Sequence, residues 1–488
     1  MLSFYNSKNL IISITIFCVF AISCKKSIVV ETPQVSVNEE NVYKTDATAI
    51  AVLTAVYSKM VNEGLFTGRA GISLLPGLSA DELSLAGVVT DNRLIAYYRN
   101  QLRTSPNESF GTELWEGTFY YIFICNAAIE GLNNSGSLSS YVKKQLLGEA
   151  KFMRAFFYFY LASFYSDVPL VLTTNPAINA ALPRSPVKQV YQQVIADLKD
   201  AKDLLSENYL NKDLQNYTGV PERVRPTKWA ASALLARTYL YMTDYTNAEV
   251  EANRVITNTA LFSLPTVINS VFLKNSSEAI WQLQPVQNGR NTEDAFTFIL
   301  PPTGPNVSVN PVSLSPQLLN SFELGDLRRK GKNWIDSVIV SGNIYYFPSK
   351  YKATISAGAT SEYLMVFRLA EQLLIRAEAR VQLNKLGEAE DDLNMIRRRA
   401  GLQNTSANDK VTLLAAILKE RQVELFVEWG HRWLDLKRSG NLDFIMGVVT
   451  PLKANGGKWQ SYQAYYPIYY NDILMDPNLS QNSGYAVP

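Results

Sequence analysis

Two adjacent carboxylate pairs, Asp81-Glu82 and Glu293-Asp294, are the residues whose chemistry could cleave a glycosidic bond. That reaction needs two carboxyl groups roughly 5 to 10 Å apart, on either side of the scissile bond, one of them with a raised pKa. Side chains that are neighbours in sequence do not generally face each other across a substrate. We therefore predict no catalytic residue and no enzyme activity.

Arginine residues cluster in two stretches, Arg397–Arg399 and Arg432–Arg438, and either cluster could bind an anion. Glu420, Glu424 and Glu428 recur every four residues, which places them on one face of a helix. Glutamates at this spacing beside arginines are typical of ion-pair ladders where helices pack. We therefore interpret both arginine stretches as structural.

The chain has one histidine, His431, and three cysteines, Cys18, Cys24 and Cys125. These numbers exclude a histidine-rich metal site and a disulfide framework, and they argue against a catalytic triad. We expect a structural role for His431, and neither a metal nor a cofactor. With 46 basic and 44 acidic residues and no basic run, the sequence also indicates no nucleic-acid partner.

Aromatic residues make up 11% of the chain, and two loop-like regions combine them with Asn and Arg. A sugar ring has apolar faces that flat side chains can cover, and hydroxyl groups that polar side chains can bind. Tyr97, Tyr98 and Trp334 are the strongest candidates for stacking. The predicted glycan-binding residues are Asn92, Arg93, Tyr97, Tyr98, Asn100, Trp281, Arg290, Trp334, Tyr345 and Tyr346.

Helices must position these loops, because apolar residues recur at helical spacing through most of the chain. The stretches 62–110 and 258–360 differ, since they are rich in loop residues and, in the second, proline. Asp167-Val168-Pro169 predicts the end of the helix before it. The predicted helices are 45–61, 115–132, 141–165, 186–205, 226–241, 244–256, 363–383, 386–399, 413–429 and 432–439.

Two of the predicted helix pairs share a repeat-like spacing. Ala236 and Ala248 are separated by the same interval as Ala377 and Ala389. Short side chains at such positions let two helices of a hairpin approach closely. A single hairpin cannot bury its apolar face, so several should stack.

The N-terminal residues predict a targeting signal. A polar start with Lys8 precedes an apolar run from Leu10 to Ile22, which is too short for a comfortable membrane span. Ala21-Ile22-Ser23-Cys24 resembles the lipobox of bacterial lipoproteins, although Leu is more usual at position 21. The resemblance implies a signal peptide over 1–23, acylation of Cys24 and a flexible tether over 24–38.

Beyond this lipobox, segments in the same order resemble the SusD/RagB family of nutrient-binding lipoproteins. They include GEAKFMRAFFYFYLASFYSDVPLVL and ILKERQVELFVEWGHRWLDLKRSG. The resembling segments are 148–172, 226–249, 367–402, 417–440 and 465–485.

The resemblance implies a mostly α, SusD-like fold with four tetratricopeptide-like helical hairpins as scaffold, long irregular loops and minor short β-strands. We expect an N-terminal region over 39–220 and a C-terminal region over 221–488, within one body. It further implies a lipid-anchored protein on the outer face of the outer membrane that binds an oligosaccharide and delivers it to a SusC-like TonB-dependent porter. The alternative is a tetratricopeptide-type scaffold that binds only a protein or peptide.

Overall fold

Helices are the main regular secondary structure of the molecule. The computed structural model describes residues 42–62, 65–355 and 360–487. Within these ranges the α-helices are α1 (Asp46–Asn62), α2 (Leu74–Ser79), α3 (Asn92–Tyr98), α4 (Glu113–Asn134), α5 (Ser140–Tyr165), α6 (Pro176–Asn179), α7 (Val187–Leu204), α8 (Lys228–Tyr241), α9 (Tyr245–Ile256), α10 (Glu293–Phe298), α11 (Pro316–Leu319), α12 (Leu369–Gln382), α13 (Leu386–Arg399), α14 (Lys410–Glu424), α15 (His431–Arg438), α16 (Leu442–Leu452) and α17 (Tyr470–Met475).

A continuous stack of helices forms the scaffold. The helices α4, α5, α7, α8, α9, α12, α13 and α14 each pack on the next. Within this stack, α8–α9 and α12–α13 are the two hairpins that carry the repeat spacing. The repeat-forming alanines Ala236, Ala248, Ala377 and Ala389 are completely buried in this stack. The mostly α fold predicted from the sequence is confirmed.

The longest helix of the stack is α5, with 26 residues, and its ends follow from the local sequence. The hydroxyl of Ser139 caps its first turn by accepting a hydrogen bond from the Val142 N–H at 3.4 Å. The helix ends at Tyr165, where Ser166 takes a positive φ of 65° ahead of Pro169. The predicted stop is therefore confirmed, and nearly every residue of the second half of α5 is buried.

Short strands pair across the loops that interrupt the stack. The strands are β1 (Leu83–Leu85), β2 (Arg103–Thr104), β3 (Ser109–Phe110), β4 (Ala279–Leu283), β5 (Val312–Leu314), β6 (Ile335–Val340), β7 (Asn343–Pro348) and β8 (Leu364–Arg368). In the described part of the chain they form antiparallel pairs β1–β5, β2–β3, β4–β8 and β6–β7. The predicted helix over 363–383 is wrong in its first turn, because β8 pairs there with the distant β4.

A tight turn at residues 425–430 replaces the last part of the predicted helix 413–429. Val427 and Trp429 adopt positive φ angles of 52° and 46°, a conformation that costs non-glycine residues about 1–2 kcal/mol each. Buried partners hold it. The Val427 N–H donates to Glu82 at 3.1 Å, and Lys350 Nζ donates to the carbonyl of Phe426 at 2.8 Å.

Beside this turn lies a buried network of ion pairs. Arg368 donates to Glu424 at 2.6 Å, to Glu428 at 2.8 Å and to Glu278 at 2.8 Å. Arg328 reaches Glu424 from the other side at 2.9 Å. Although burial alone would raise it, Arg399, Arg368 and Arg328 hold the pKa of Glu424 well below its usual value. The structural interpretation of the glutamate ladder is confirmed. We call this set of buried arginines and glutamates the buried network.

His431 and the second arginine stretch, both predicted to be structural, are largely buried, and so is Cys125. Burial, together with Arg237 and other cations, keeps the pKa of His431 well below its usual value. Cys125 is completely buried on α4, and burial raises the pKa of its thiol. Within the second arginine stretch, Arg432 pairs with Asp81 at 2.7 Å and Arg438 pairs with Asp435 at 2.8 Å.

Residues from Tyr43 onward form one compact unit. No helix in the described ranges is long and apolar enough to span a membrane. The predicted signal peptide over 1–23, the acylated Cys24 and the tether over 24–38 lie outside the described residues.

Candidate functional site

Two of the predicted stacking residues, Trp281 and Trp334, lie in the core. Trp281 is on β4, where its ring meets Phe156 at 5.5 Å and its indole N–H donates to the Val224 carbonyl at 3.1 Å. Trp334 donates its indole N–H to the Ile268 carbonyl at 3.1 Å. Both side chains are fully buried, so the prediction that they stack on a ligand is wrong.

Tyr97 and Asn100 are buried as well, which contradicts their predicted role. The Tyr97 hydroxyl donates to Glu113 at 2.7 Å, and its ring packs edge-on against Tyr466. Asn100 adopts a positive φ of 54° directly after α3, and its amide donates to the Thr450 hydroxyl at 3.0 Å. Both residues fix the position of α3, a short helix where the sequence predicts a loop.

The remaining candidates reach the surface. Asn92 is exposed, and Arg93, Tyr98, Arg290, Tyr345 and Tyr346 are half-buried. Asp91 begins α3 by accepting hydrogen bonds from the N–H groups of Arg93 at 3.0 Å and Leu94 at 3.3 Å. This cap directs the first turn of α3 outward, so Asn92 and Arg93 lie at its accessible end.

The two predicted regions meet at residues 68–69. Arg69 pairs with Asp91 at 3.3 Å, and Arg93 lies 3.7 Å from the same carboxylate. Next to Arg69, a Cβ on Gly68 would lie 3.2 Å from the Cβ of Glu293. Glu293 in turn pairs with Arg290 at 3.1 Å. We call Arg69, Asp91, Arg93, Arg290 and Glu293 the arginine rim.

The arginine rim is held in place yet accessible. Its side chains are between 14% and 33% exposed. The guanidinium of Arg290 lies 4.0 Å above the ring of Phe296, and Arg69 donates to the Ser308 carbonyl. An arginine side chain carries five N–H donors, and the guanidinium of Arg93, at 3.7 Å, is beyond direct hydrogen-bonding distance of the Asp91 carboxylate. The rim therefore presents donors and carboxylate acceptors to solvent in a fixed arrangement.

Tyr345 is connected to the rim through the 301–311 loop. This loop carries Ser308, which contacts Arg69, and Gly304, whose added Cβ would lie 3.9 Å from the Tyr345 ring. Tyr345 and Tyr346 are adjacent on β7, so their side chains point to opposite faces of the hairpin. Tyr346 packs against the core. Tyr345 is thus the predicted aromatic residue that lies next to the 301–311 loop, and this loop contacts the rim at Arg69.

Tyr98, at the other end of α3, lines a separate cleft of about 310 Å³. Ser84, Gln317 and Lys453 share its walls. Burial lowers the pKa of Lys453 to about 7, and its ammonium lies 5.4 Å from the centre of the Tyr98 ring while donating to the Leu78 carbonyl at 2.7 Å. The cleft combines one aromatic face with polar groups.

The carboxylate pairs do not form a facing pair. Asp81 binds Arg432, whereas its neighbour Glu82 accepts from the Val427 N–H and burial raises the pKa of Glu82 to about 8. Asp294 accepts from the Gly68 N–H, and Glu293 belongs to the rim. Within the described ranges, no group of three or more His, Cys, Asp or Glu residues could hold a metal ion.

Sequence reasoning missed Arg69 and Glu293 as site residues. Arg69 contacts Ser308, which is 239 residues away, and nothing in the local pattern around Gly68-Arg69 indicates that approach. The sequence indicates Glu293 only as a member of a carboxylate pair. One signal in the sequence supports the predicted binding regions of Arg93 and Arg290. It is the pair of opposite charges at Arg290 and Glu293, three residues apart.

The structure is of the class in which stacked helical hairpins form a scaffold and the loops carry a polar surface. Residues 332–485 match the SusD family, and residues 71–240 match a family described as starch-binding and associating with the outer membrane. The chain belongs to the SusD/RagB family.

Individual relatives share the length and the fold. SusD-like protein P38 of Formosa agariphila is 24% identical, with 95% of this chain and 96% of that protein covered. A SusD superfamily protein from Bacteroides vulgatus has a TM-score of 0.76 at 20% identity, covering 91% of this chain and 100% of the other. Surface glycan-binding protein A from Bacteroides uniformis has a TM-score of 0.74 at 19% identity, covering 90% and 99%.

Proposed function

We propose that this protein binds a glycan at the arginine rim and delivers it to a SusC-like TonB-dependent porter of the outer membrane. It binds the glycan without cleaving it. The family description names starch binding and association with the outer membrane, and one structural relative is a surface glycan-binding protein. These names support a glycan as the ligand class.

The observation that carries the proposal is the meeting of two distant loop regions in one half-exposed rim. Arg69 and Arg290 are each anchored on one side, by Asp91 and by Glu293. Anchored guanidinium groups lose little freedom when they bind a hydroxyl, which favours binding. Tyr345, which lies next to Gly304 in the loop that contacts Arg69, supplies a ring for the apolar face of a sugar.

Delivery requires weak, reversible binding. Contacts with one or two sugar rings give a Kd of roughly μM to mM, which permits release. The lipobox-like Cys24 supports an acyl anchor, with the rest of the chain on the cell surface and facing the porter. Purification of the full chain from membranes should bring down a β-barrel partner. A partner of peptide or soluble-protein character alone would favour the scaffold alternative.

The binding test uses the chain from Ser27 onward in a glycan array, followed by calorimetric titration of each polysaccharide that binds. We expect Arg290→Ala to weaken binding about tenfold, a loss of ~1.4 kcal/mol. Arg103→Ala is the matched control, because Arg103 also pairs with a glutamate, Glu108 at 2.7 Å, and lies 4.7 Å over a phenylalanine ring, Phe110.

Equal losses in the Arg290 and Arg103 variants would remove the rim as the binding site. The absence of any glycan ligand, together with binding of peptides, would overturn the glycan assignment. A reducing-end assay on the bound polysaccharide tests the absence of cleavage. Release of new reducing ends by the wild-type chain, abolished in Glu293→Gln, would identify a hydrolase instead.

A further inference from the structure

An unusually long connection joins two helices of the scaffold. Residues 205–227 lie between α7 and α8, which pack against each other. Helices of a bundle are commonly joined by roughly 2–8 residues, and much longer ordered connections are usually functional. The connection is ordered by its own contacts, since the Asn211 side chain accepts from the N–H groups of Asp213 at 2.9 Å and Gln215 at 3.0 Å.

The long connection closes a cleft against α1 and the segment that follows β4. The cleft has a volume of about 160 Å³. We call it the Tyr217 cleft, and the lining residues that matter here are Thr54, Ser58, Asn211, Tyr217, Glu222 and Gln284.

The walls of the Tyr217 cleft suit a neutral, hydroxyl-rich ligand. Tyr217 is half-buried and provides an aromatic face, with Val286, 43% exposed, as a second apolar contact. Hydroxyl and amide groups of uncharged side chains provide most of the hydrogen-bonding capacity. The charged groups that line the cleft are already paired, and one of them, Lys212, pairs with Asp213 at 2.7 Å in an exposed position. Glu222 accepts from the Tyr363 hydroxyl at 2.9 Å, and Arg225 pairs with Glu149 at 2.7 Å.

One exposed segment runs from the Tyr217 cleft to the arginine rim. Gln284 lines the cleft, and Arg290 belongs to the rim. Between them, the Gln287 side chain donates to Asn62 at 3.0 Å. Asn62 lies one helical turn beyond the cleft residue Ser58 on α1, about 6 Å along the axis. Six residues of extended chain span at most about 20 Å, so both sites are within reach of one oligosaccharide.

We propose that the Tyr217 cleft is a second subsite for the same ligand, so that the protein binds an extended, neutral oligosaccharide chain. The rim binds one part of the chain, and the Tyr217 cleft binds units further along it. This inference rests on the proposed function. It adds that affinity must increase with chain length until both subsites are filled.

The test is a chain-length series. The probes are oligosaccharides from disaccharide to octasaccharide, prepared by partial hydrolysis of a polysaccharide that the wild-type chain binds in the array. We expect Tyr217→Ala to weaken binding of the longest members about tenfold and to leave the shortest unchanged, because only long chains reach the cleft. Gln284→Ala should show the same dependence on length with a smaller effect.

Tyr245→Ala is the matched control, since Tyr245 is a half-buried tyrosine at the start of α9, at the end of α8 opposite to the long connection, and does not line the cleft. Arg290→Ala should weaken short and long members alike. Equal binding of long chains by wild type and Tyr217→Ala, or equal weakening at every length, would overturn the second subsite while leaving the rim intact. An anionic polysaccharide as the bound ligand would overturn the neutral class. Loss of binding by the wild type at every length would remove the proposed function itself.

Discussion

The buried network and the arginine rim are built from the same residue types but differ in their access to water. Arg328 and Arg368 are at most 2% exposed, and Glu424 is completely buried. Arg69 and Arg290 are 32% and 33% exposed. In the network, Arg368 uses its three guanidinium nitrogens on Glu278, Glu424 and Glu428.

This difference decides which arginines can serve a ligand. A buried guanidinium whose donors are all engaged has nothing to offer a hydroxyl group, and breaking its pairs leaves charges without solvent. A half-exposed guanidinium exchanges water for a sugar hydroxyl at small cost. Clusters of arginine and glutamate therefore indicate a binding site only where water reaches them.

The largest effect is expected from breaking the buried network. Arg368→Met should lower the free energy of unfolding by about 3–5 kcal/mol, because three glutamates lose a buried partner. Arg290→Met at the rim should cost no more than about 1 kcal/mol. Urea denaturation followed by tryptophan fluorescence measures both, and similar losses in the two variants would contradict the comparison.

The next largest effect concerns pH and Glu82, which holds the strained turn beside the network. Burial raises its pKa from 4.5 to about 8, so the folded chain keeps a proton that the unfolded chain releases. The resulting stability is complete below about pH 4.5 and is lost as pH rises to about 8. A pKa separation of this size corresponds to several kcal/mol.

Glu82→Gln should abolish that loss, because glutamine accepts from the Val427 N–H without titrating. The measurement is the urea midpoint of wild type and variant from about pH 5 to 8. We expect the stability of the variant relative to the wild type to increase as pH rises. Comparing the two chains cancels other titrating groups such as Lys453, and parallel curves would rule out a protonated Glu82.

At the rim we expect a moderate effect on binding and little on stability. Arg69→Ala should weaken glycan binding about three- to tenfold, which is ~0.6–1.4 kcal/mol, because it frees both Asp91 and the Ser308 loop. The unfolding free energy should change by no more than about 0.5 kcal/mol. Calorimetry and denaturation of the same preparation give both values. A variant that is destabilised but binds normally would assign Arg69 to the frame.

The two regions should also differ at their glycines, by about 1 kcal/mol. Gly430 has a φ of 69°, and an added Cβ would lie 3.2 Å from the Cβ of Pro76. Gly289 has a φ of 76° with nothing within 4 Å. Gly289→Ala should cost about 1 kcal/mol from backbone strain alone, and Gly430→Ala about 2 kcal/mol because packing is added. Equal losses of stability in thermal denaturation would show that the buried turn at Gly430 accommodates an added methyl group as readily as Gly289 does beside the rim.

The scaffold could be predicted from the sequence because its determinants are local. The alanines at 236, 248, 377 and 389 and the stop at Pro169 lie within the helices and turns they define. The ladder of Glu420, Glu424 and Glu428 is also visible in the sequence, because these residues recur every four positions along α14 and the turn after it.

The site was harder to predict because its determinants are distant in sequence. Trp281 lies in the proline-rich stretch 258–360, and the sequence does not indicate that its strand, β4, pairs with the distant β8 in the core. Tyr97 and Trp334 have the composition of a binding loop, but their hydroxyl and indole groups find partners inside. Asn92, Arg93, Tyr98, Arg290, Tyr345 and Tyr346 stay predicted binding residues.

The burial of Cys125 makes the protein convenient for optical work. From Ser27 onward it is the sole cysteine of the sequence, and its thiol is both shielded and reluctant to ionise. Maleimide dyes react with accessible thiolates, so they should leave it unmodified. A cysteine introduced at Asn288 or Thr218 would then carry the only fluorophore, and its emission could follow the arrival of a sugar chain in real time without removal of a native residue.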